Sequence, residues 1–138
     1  MLPINFLAII VAAIAAFVVG FLMHGPVGGK LWMKLANIVP TGKEKFSDMV
    51  PQMLWNLVAN IVMASVISVI YLFASTSDYL GVVGAMGGIV CAFVIWVFVV
   101  AGSSMDVIWM GKSKKLWMFE CLSTLLVMAS MGIVIVAW

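Results

Sequence analysis

The sequence has very little charge. Of its 138 residues only 9% are charged, and all seven basic side chains are lysines because arginine is absent. Soluble domains carry about 25% charged residues. A chain this poor in charge, and 66% hydrophobic, is not a soluble globular domain. We therefore expect an integral membrane protein.

Residues that bind metals or perform nucleophilic chemistry are also scarce. His24 is the single histidine, and Cys91 and Cys121 are the two cysteines. The helix rise separates the two cysteines in depth by roughly 8 Å, which disfavours a disulfide and indicates two buried thiols. No metal-ligand spacing and no G-x-S-x-G motif is present. We expect no cofactor, no metal and no catalytic residue, so the chain is predicted not to be an enzyme.

One short motif invites comparison with a nucleotide-binding loop. Residues 24–31 read HGPVGGKL, and a phosphate-binding loop reads G-x-x-x-x-G-K-[ST]. His24 stands where the first glycine belongs, and Leu31 stands where the hydroxyl belongs. The motif is better explained as a turn, in which Pro26 stops a helix and the glycines redirect the chain.

Long hydrophobic runs are what the sequence does have. Four of them reach the roughly 20 residues that a helix needs to cross a bilayer, and together they predict an all-α four-helix membrane bundle with a single domain over residues 1–138. The predicted spans are about 3–24, 51–74, 80–102 and 116–138. The first run lacks a basic leader, so we interpret it as a mature span and not as a signal peptide.

The lysines predict the orientation. They lie in the connections after the first and third spans, whereas residues 75–79 and both termini have none. The positive-inside rule then places both lysine connections in the cytoplasm and both termini outside. The lysines are Lys30, Lys34, Lys43, Lys45, Lys112, Lys114 and Lys115. The net charge of +2 thus reflects orientation, and no nucleic acid is expected as a partner.

Aromatic residues give the same boundaries. Tryptophan and tyrosine favour the two membrane interfaces. Trp32, Trp55, Trp109 and Trp117 fall near the predicted inner interface, and Tyr79 and Trp138 fall near the outer one. Between the first two spans, Lys30 and Lys34 share one helical face and Leu31 and Leu35 another, which predicts a short interfacial helix.

Small residues predict where helices approach closely. Ala8, Ala12, Ala16 and Gly20 repeat every four residues along the first span, and Gly84 and Gly88 have G-x-x-x-G spacing in the third. Such stripes allow helices to pack tightly in lipid. They predict close packing within the chain or between copies in a homo-oligomer.

Polar residues within the spans are candidates for function, because they are costly in lipid unless partnered. They gather near the lysine connections: Gln52, Asn56, Asn60, Glu120 and His24. One hypothesis is a cytoplasm-facing polar vestibule that binds or passes a small solute, an ion or a lipid. The alternative is that the amides join helices and that Glu120 pairs with Lys115 or Lys112.

Two functions therefore remain open from the residues. The first is a non-enzymatic protein that binds or passes a small ligand, as an oligomer. The second is an accessory or assembly subunit of a larger membrane complex, whose intramembrane polar groups hold a membrane protein partner. Loss of ligand binding alone in an Asn60 variant would favour the first, and loss of assembly would indicate that the amides only join helices. Recovery of a stoichiometric second protein in mild detergent would favour the second.

Several segments resemble a known family. They are GFLMHGPVGGKLWMKL at the end of the first span, Trp96 in the third, and the final MGIVIVAW. Together they resemble the small four-helix bacterial membrane proteins grouped as domain of unknown function 1761. The resemblance implies a four-span fold in a bacterial inner membrane. It implies no activity, cofactor or catalytic set.

Overall fold

The computed structural model describes residues 4–40, 42, 46–77 and 84–138. The helices in these ranges are α1 (Phe6–His24), α2 (Gly29–Leu35), α3 (Phe46–Ser75), α4 (Gly84–Trp109) and α5 (Lys114–Ala137). All except α2 are long and apolar enough to cross a membrane. The structure confirms the predicted all-α bundle with a short helix after the first span. Lys43, Lys45 and Tyr79 lie outside the described residues.

The helix α1 has a defined start and a length that suits a bilayer. The Asn5 side chain caps it by accepting a hydrogen bond from the Ala8 amide at 3.1 Å, as N-cap residues do. Its 19 residues span roughly 28 Å at 1.5 Å per residue. That length matches the ~30 Å of hydrocarbon in a bilayer.

The helix α3 is longer than the predicted second span. It has 30 residues and begins at Phe46, so Pro51 lies inside the helix. At 1.5 Å per residue it extends roughly 45 Å, about 15 Å more than the hydrocarbon. A helical length of roughly 30 Å, measured from Ser75 back along α3, reaches Trp55. The turns before Trp55, including Pro51, therefore extend beyond the hydrocarbon, where water can bond the carbonyl that proline leaves unpaired.

The helix α4 also continues past its predicted end, through Gly102 to Trp109. The two serines that follow Gly102 remain helical because their hydroxyls donate back to carbonyls one turn earlier. Ser103 Oγ donates to Val100 O at 3.1 Å, and Ser104 Oγ donates to Ala101 O at 2.6 Å. The chain turns at Gly111, whose φ of 68° is a left-handed conformation that glycine adopts readily.

Two glycines hold α4 and α5 at backbone contact. A methyl group at Gly88 would overlap the Gly132 carbonyl, and one at Gly132 would overlap the Gly88 carbonyl. Gly88 therefore packs within the chain, against a glycine that the predicted stripes did not include. Gly84 begins α4 with a φ of 65°, and a methyl group there would meet nothing within 4 Å.

The core lies toward the end of the bundle at which α1 and α4 begin and α3 and α5 finish. Ala12 and Ala16 of the α1 stripe are completely buried and pack with Ala64, Ile67 and other core residues of the remaining helices. Ala8 is also buried, and a methyl group at Gly20 would make ordinary contact with Val127 at 3.7 Å. Small residues on α1 thus allow it to pack closely against the other helices.

The corner between α1 and α2 is packed against α5. A methyl group at Gly28 would lie 2.8 Å from the Phe119 ring, so the chain can turn here only without a side chain. The His24 ring contacts Trp32 and Phe119 edge-on, with centroid distances of 5.4 Å and 5.7 Å. The glycine-rich segment therefore forms a close-packed turn.

Candidate functional site: a polar crevice at the lysine end

The bundle has two unlike ends. We call the end at which α1 and α4 finish and α3 and α5 begin the lysine end, because Lys30, Lys112 and Lys114 lie there. We call the opposite end, near Phe6 and Ala137, the terminal end. The buried core lies toward the terminal end, so burial changes along each helix.

Along α3 the face that lines the core becomes polar toward the lysine end. Residues four apart share a helix face, so Asn60 and Asn56 continue the line of Ala64 and Ser68. Ala64 is completely buried, Asn60 is partly buried, and Asn56 is exposed. The Asn60 amide donates to Asn56 Oδ1 at 2.9 Å. Burial thus falls along this line toward the lysine end, whereas the neighbouring Leu57 and Met53 stay partly buried.

The core-facing side of α5 changes in the same way. Met131 and Met128 are completely buried, and Thr124 and Glu120, one and two turns before Met128, are partly buried. The Thr124 hydroxyl donates to the Glu120 carbonyl at 2.8 Å. Asn60 and Thr124 each lie one turn beyond a fully buried residue, so the two polar segments begin at the same level. We call these four residues, Asn56, Asn60, Thr124 and Glu120, the candidate crevice.

Polar contacts keep α4 against α5 along this level. The Trp96 indole donates to Cys121 O at 2.8 Å, and the Trp117 indole donates to Ser103 Oγ at 2.9 Å. At the same end Phe119 contacts His24 of α1. Within the described ranges no side-chain hydrogen bond joins α3 to another helix. These contacts thus join α4 and α1 to α5 at the lysine end.

The remaining predicted residues lie at its edge. Gln52 is exposed, one turn outside Asn56, and with its amide reoriented it donates to the carbonyl of Asp48 in its own helix. His24 Nδ1 lies 3.1 Å from Gly20 O, and its ring is occupied by Trp32 and Phe119. The structure therefore pairs Asn60 with Asn56 on α3, places Glu120 on α5, and places His24 in the α1–α2 corner. Cys91 is buried in the core and Cys121 is partly buried, and both are free thiols.

Glu120 has a partner at the mouth of the crevice. Its carboxylate forms an ion pair with the Lys112 ammonium at 2.5 Å, and both side chains are partly exposed. This geometry selects Lys112 over Lys115 as the partner. Since Lys112 precedes α5 and Glu120 lies in its second turn, the pair fixes the α4–α5 connection over the opening.

We expect this ion pair to stabilise the protein modestly. Partly exposed pairs contribute up to about 1 kcal/mol, so Lys112→Gln and Glu120→Gln should each lower the free energy of unfolding by about 0.5 kcal/mol. The double variant should lose little more than either single one. Thermal unfolding in detergent measures these values, and Lys115→Gln is the control because it is unpaired among the described residues. An equal loss in the control would contradict this assignment.

Sequence reasoning missed three residues that shape the site. Thr124 was not singled out, although it lies four residues after Glu120, a spacing that places both on one face. Trp96 was noted only for the family resemblance, and Ser103 was not noted. Their hydrogen bonds to α5 depend on how the two helices are rotated, which neither helix shows alone.

The fold defines a class of protein. Four apolar helices of membrane-spanning length are those of a polytopic membrane protein. The chain belongs to the DUF1761 family, whose model, described as a protein of unknown function, matches residues 7–136. The chain matches no curated protein and no solved structure. No group of three or more histidine, cysteine or acidic residues that could hold a metal occurs among the residues described.

Proposed function

We propose that this protein is a non-enzymatic membrane protein that binds a small polar solute in the crevice. The observation that carries the proposal is a loss of burial along one face of α3 and one face of α5. On each helix a line of residues four apart changes within one turn from completely buried, at Ala64 and Met128, to polar and partly open, at Asn60 and Thr124, while Ser123 and Phe119 on the neighbouring face of α5 stay buried.

The chemistry of the lining suits a solute with several hydrogen-bonding groups. The Asn60 and Asn56 amides each offer a donor and an acceptor, and Thr124 offers a hydroxyl. Glu120 and Lys112 supply one charge of each sign close together. By the helix rise Asn60 lies roughly 8 Å beyond Trp55 toward the membrane centre. A solute there would be partly withdrawn from water, where each hydrogen bond counts for more.

Passage of the solute across the membrane would need a change of packing. Toward the terminal end the path is closed by Ala64 and Ile67 of α3 and by Met128 and Met131 of α5, all completely buried. A route through the bundle therefore requires α3 to move away from α5. Since no side-chain hydrogen bond joins α3 to its neighbours within the described ranges, apolar contacts alone would resist that movement.

Water access to the crevice is the direct test. In a chain with Cys91 and Cys121 replaced by serine, Asn60→Cys and Thr124→Cys should react with a charged thiol reagent at least ten times faster than Ile61→Cys. Ile61 lies next to Asn60 in sequence, and it is exposed on a face of α3 that turns away from the core. Equal rates at residues 60 and 61 would show that no aqueous crevice exists.

Solute binding itself can be tested by thermal stabilisation. A compound screen should find polar solutes that raise the unfolding temperature of the wild-type protein, because a ligand of the folded state stabilises it. Asn60→Leu should abolish that rise, and Val62→Leu, on the outward face of α3, should preserve it. A stabilising solute whose effect survives Asn60→Leu would place binding elsewhere.

A second candidate function rests on the exposure of Asn56 and Gln52. Amides that no other described part of the chain covers could hold a helix of a partner, as in an accessory subunit or a homo-oligomer. Purification in mild detergent would then recover a stoichiometric second protein or a defined oligomer. Asn56→Leu should release it, and recovery of a monomer from the wild type would argue against this function.

A further inference from the structure

A second groove lies on the outside of the bundle, at the lysine end of α4 and α5. It has a volume of about 220 Å³ and is lined by Ser104, Val107, Ile108, Lys114, Trp117 and Met118. Lys114 and Met118 share one face of α5, whereas Glu120 and Thr124 share another about 120° around the helix. The groove is therefore separate from the crevice.

We propose that this groove binds one anionic phospholipid of the surrounding bilayer. Its walls are apolar, with Ile108 65% and Met118 64% exposed. Trp117 lies roughly 30 Å from the end of α5 at Ala137, which places it at the level of the lipid headgroups that tryptophan favours. The groove extends from Trp117 toward Lys114, so it suits the glycerol region and the first methylenes of a lipid, with the phosphate beside Lys114.

The charges around the groove favour an anionic lipid over a zwitterionic one. Lys112 is occupied by Glu120, and the exposed side chains of Lys114 and Lys115 form no ion pair within the described ranges. Asp106, in the last turn of α4, forms no ion pair with either of them there. Lys114 lines the apolar groove and Lys115 is the next residue in the chain. This arrangement is complementary to a phosphodiester attached to an acyl chain.

Lipid titration of the purified full-length protein, followed by native mass spectrometry, tests the proposal. Dioleoylphosphatidylglycerol should bind at least ten times more tightly than dioleoylphosphatidylcholine. A lysine close to an anionic surface contributes about fivefold to affinity. The double variant Lys114→Gln with Lys115→Gln should therefore weaken phosphatidylglycerol binding about twentyfold.

Two α2 lysines provide the matched control. Lys30→Gln with Lys34→Gln removes the same charge from the same end of the bundle, but away from the groove, and should change affinity less than threefold. An equal loss in both double variants would show general attraction to a basic surface and overturn the proposal. Equal binding of the two lipids by the wild-type protein would overturn it as well.

A variant that keeps every charge tests the groove itself. Ile108→Trp should fill the space between α4 and α5, reduce phosphatidylglycerol binding at least fivefold, and leave the lysines unchanged. The α2 control Leu31→Trp, at a residue 51% exposed, should bind normally. Full binding by folded Ile108→Trp protein would show that the groove takes no lipid chain. Thiol reactivity at Asn60→Cys is independent of this result, so the crevice and the lipid site are tested separately.

Discussion

Replacing Gly88 with alanine is expected to lower the free energy of unfolding by about 3 kcal/mol. A single methyl group there would overlap the Gly132 carbonyl and lie 2.6 Å from Val136 Cγ2. A backbone carbonyl cannot rotate away as a side chain can, so α4 and α5 would have to separate. Denaturation of the detergent-solubilised protein with increasing dodecyl sulfate measures the loss.

The same helix provides the control for this prediction. A methyl group at Gly102 would meet nothing within 4 Å, and alanine forms helices better than glycine by about 1 kcal/mol. Gly102→Ala should therefore leave stability unchanged or raise it slightly, whereas Gly132→Ala should behave like Gly88→Ala. If the residue 88 and 102 variants have equal stability, the glycine contact does not hold the helices together.

The sequence predicted the helices because each span carries its own signal. Uninterrupted apolar length identifies a membrane helix without any knowledge of its neighbours. The end of α4 was predicted too early because Gly102, Ser103 and Ser104 resemble a loop in composition. In the structure the two hydroxyls bond back to their own helix, which removes the polar groups that would otherwise favour a turn.

Contacts between helices were harder to predict, because they depend on rotation and register. Gly88 was recognised by its spacing from Gly84, yet its partner is Gly132, which has no small residue four positions away. A signal was available in the chain: Gly88 and Gly132 are equally distant in sequence from Met110, next to the turn at Gly111. In an antiparallel hairpin such residues lie at the same level.

The candidate site was predicted as a set of residue types but not as a shape. Asn56, Asn60 and Glu120 stood out because amides and acids are rare inside spans. Spacing alone places Asn60 on the face of Ala64 and Thr124 on the face of Met128. Only the structure shows that Ala64 and Met128 are completely buried and that Asn60 and Thr124 are partly open. His24 was grouped with them by depth, but depth does not reveal the direction of a side chain, and its ring packs against Trp32 and Phe119.

The orientation of the bundle decides which compartment the crevice serves. Alkaline phosphatase fused after Trp138 is expected to be active, and green fluorescent protein at the same position is expected to be dark, because both termini are predicted to lie outside. Phosphatase inserted at Gly111, between α4 and α5, should be inactive. Each result is close to all-or-none, since a membrane protein with one orientation places a given residue on one side.

The lysines should be the cause of this orientation. The rule acts through basic residues in short connections, and Lys112, Lys114 and Lys115 lie within a few residues of two spans. Replacing every lysine with glutamine and adding three lysines after Trp138 should invert a large fraction of the molecules, so that the phosphatase fusion loses activity and the fluorescent fusion becomes bright. Adding the same three lysines to the wild-type chain is the control and should have a smaller effect. A bright fluorescent fusion on the unaltered chain would instead place the termini in the cytoplasm, and the crevice would then open to the outside.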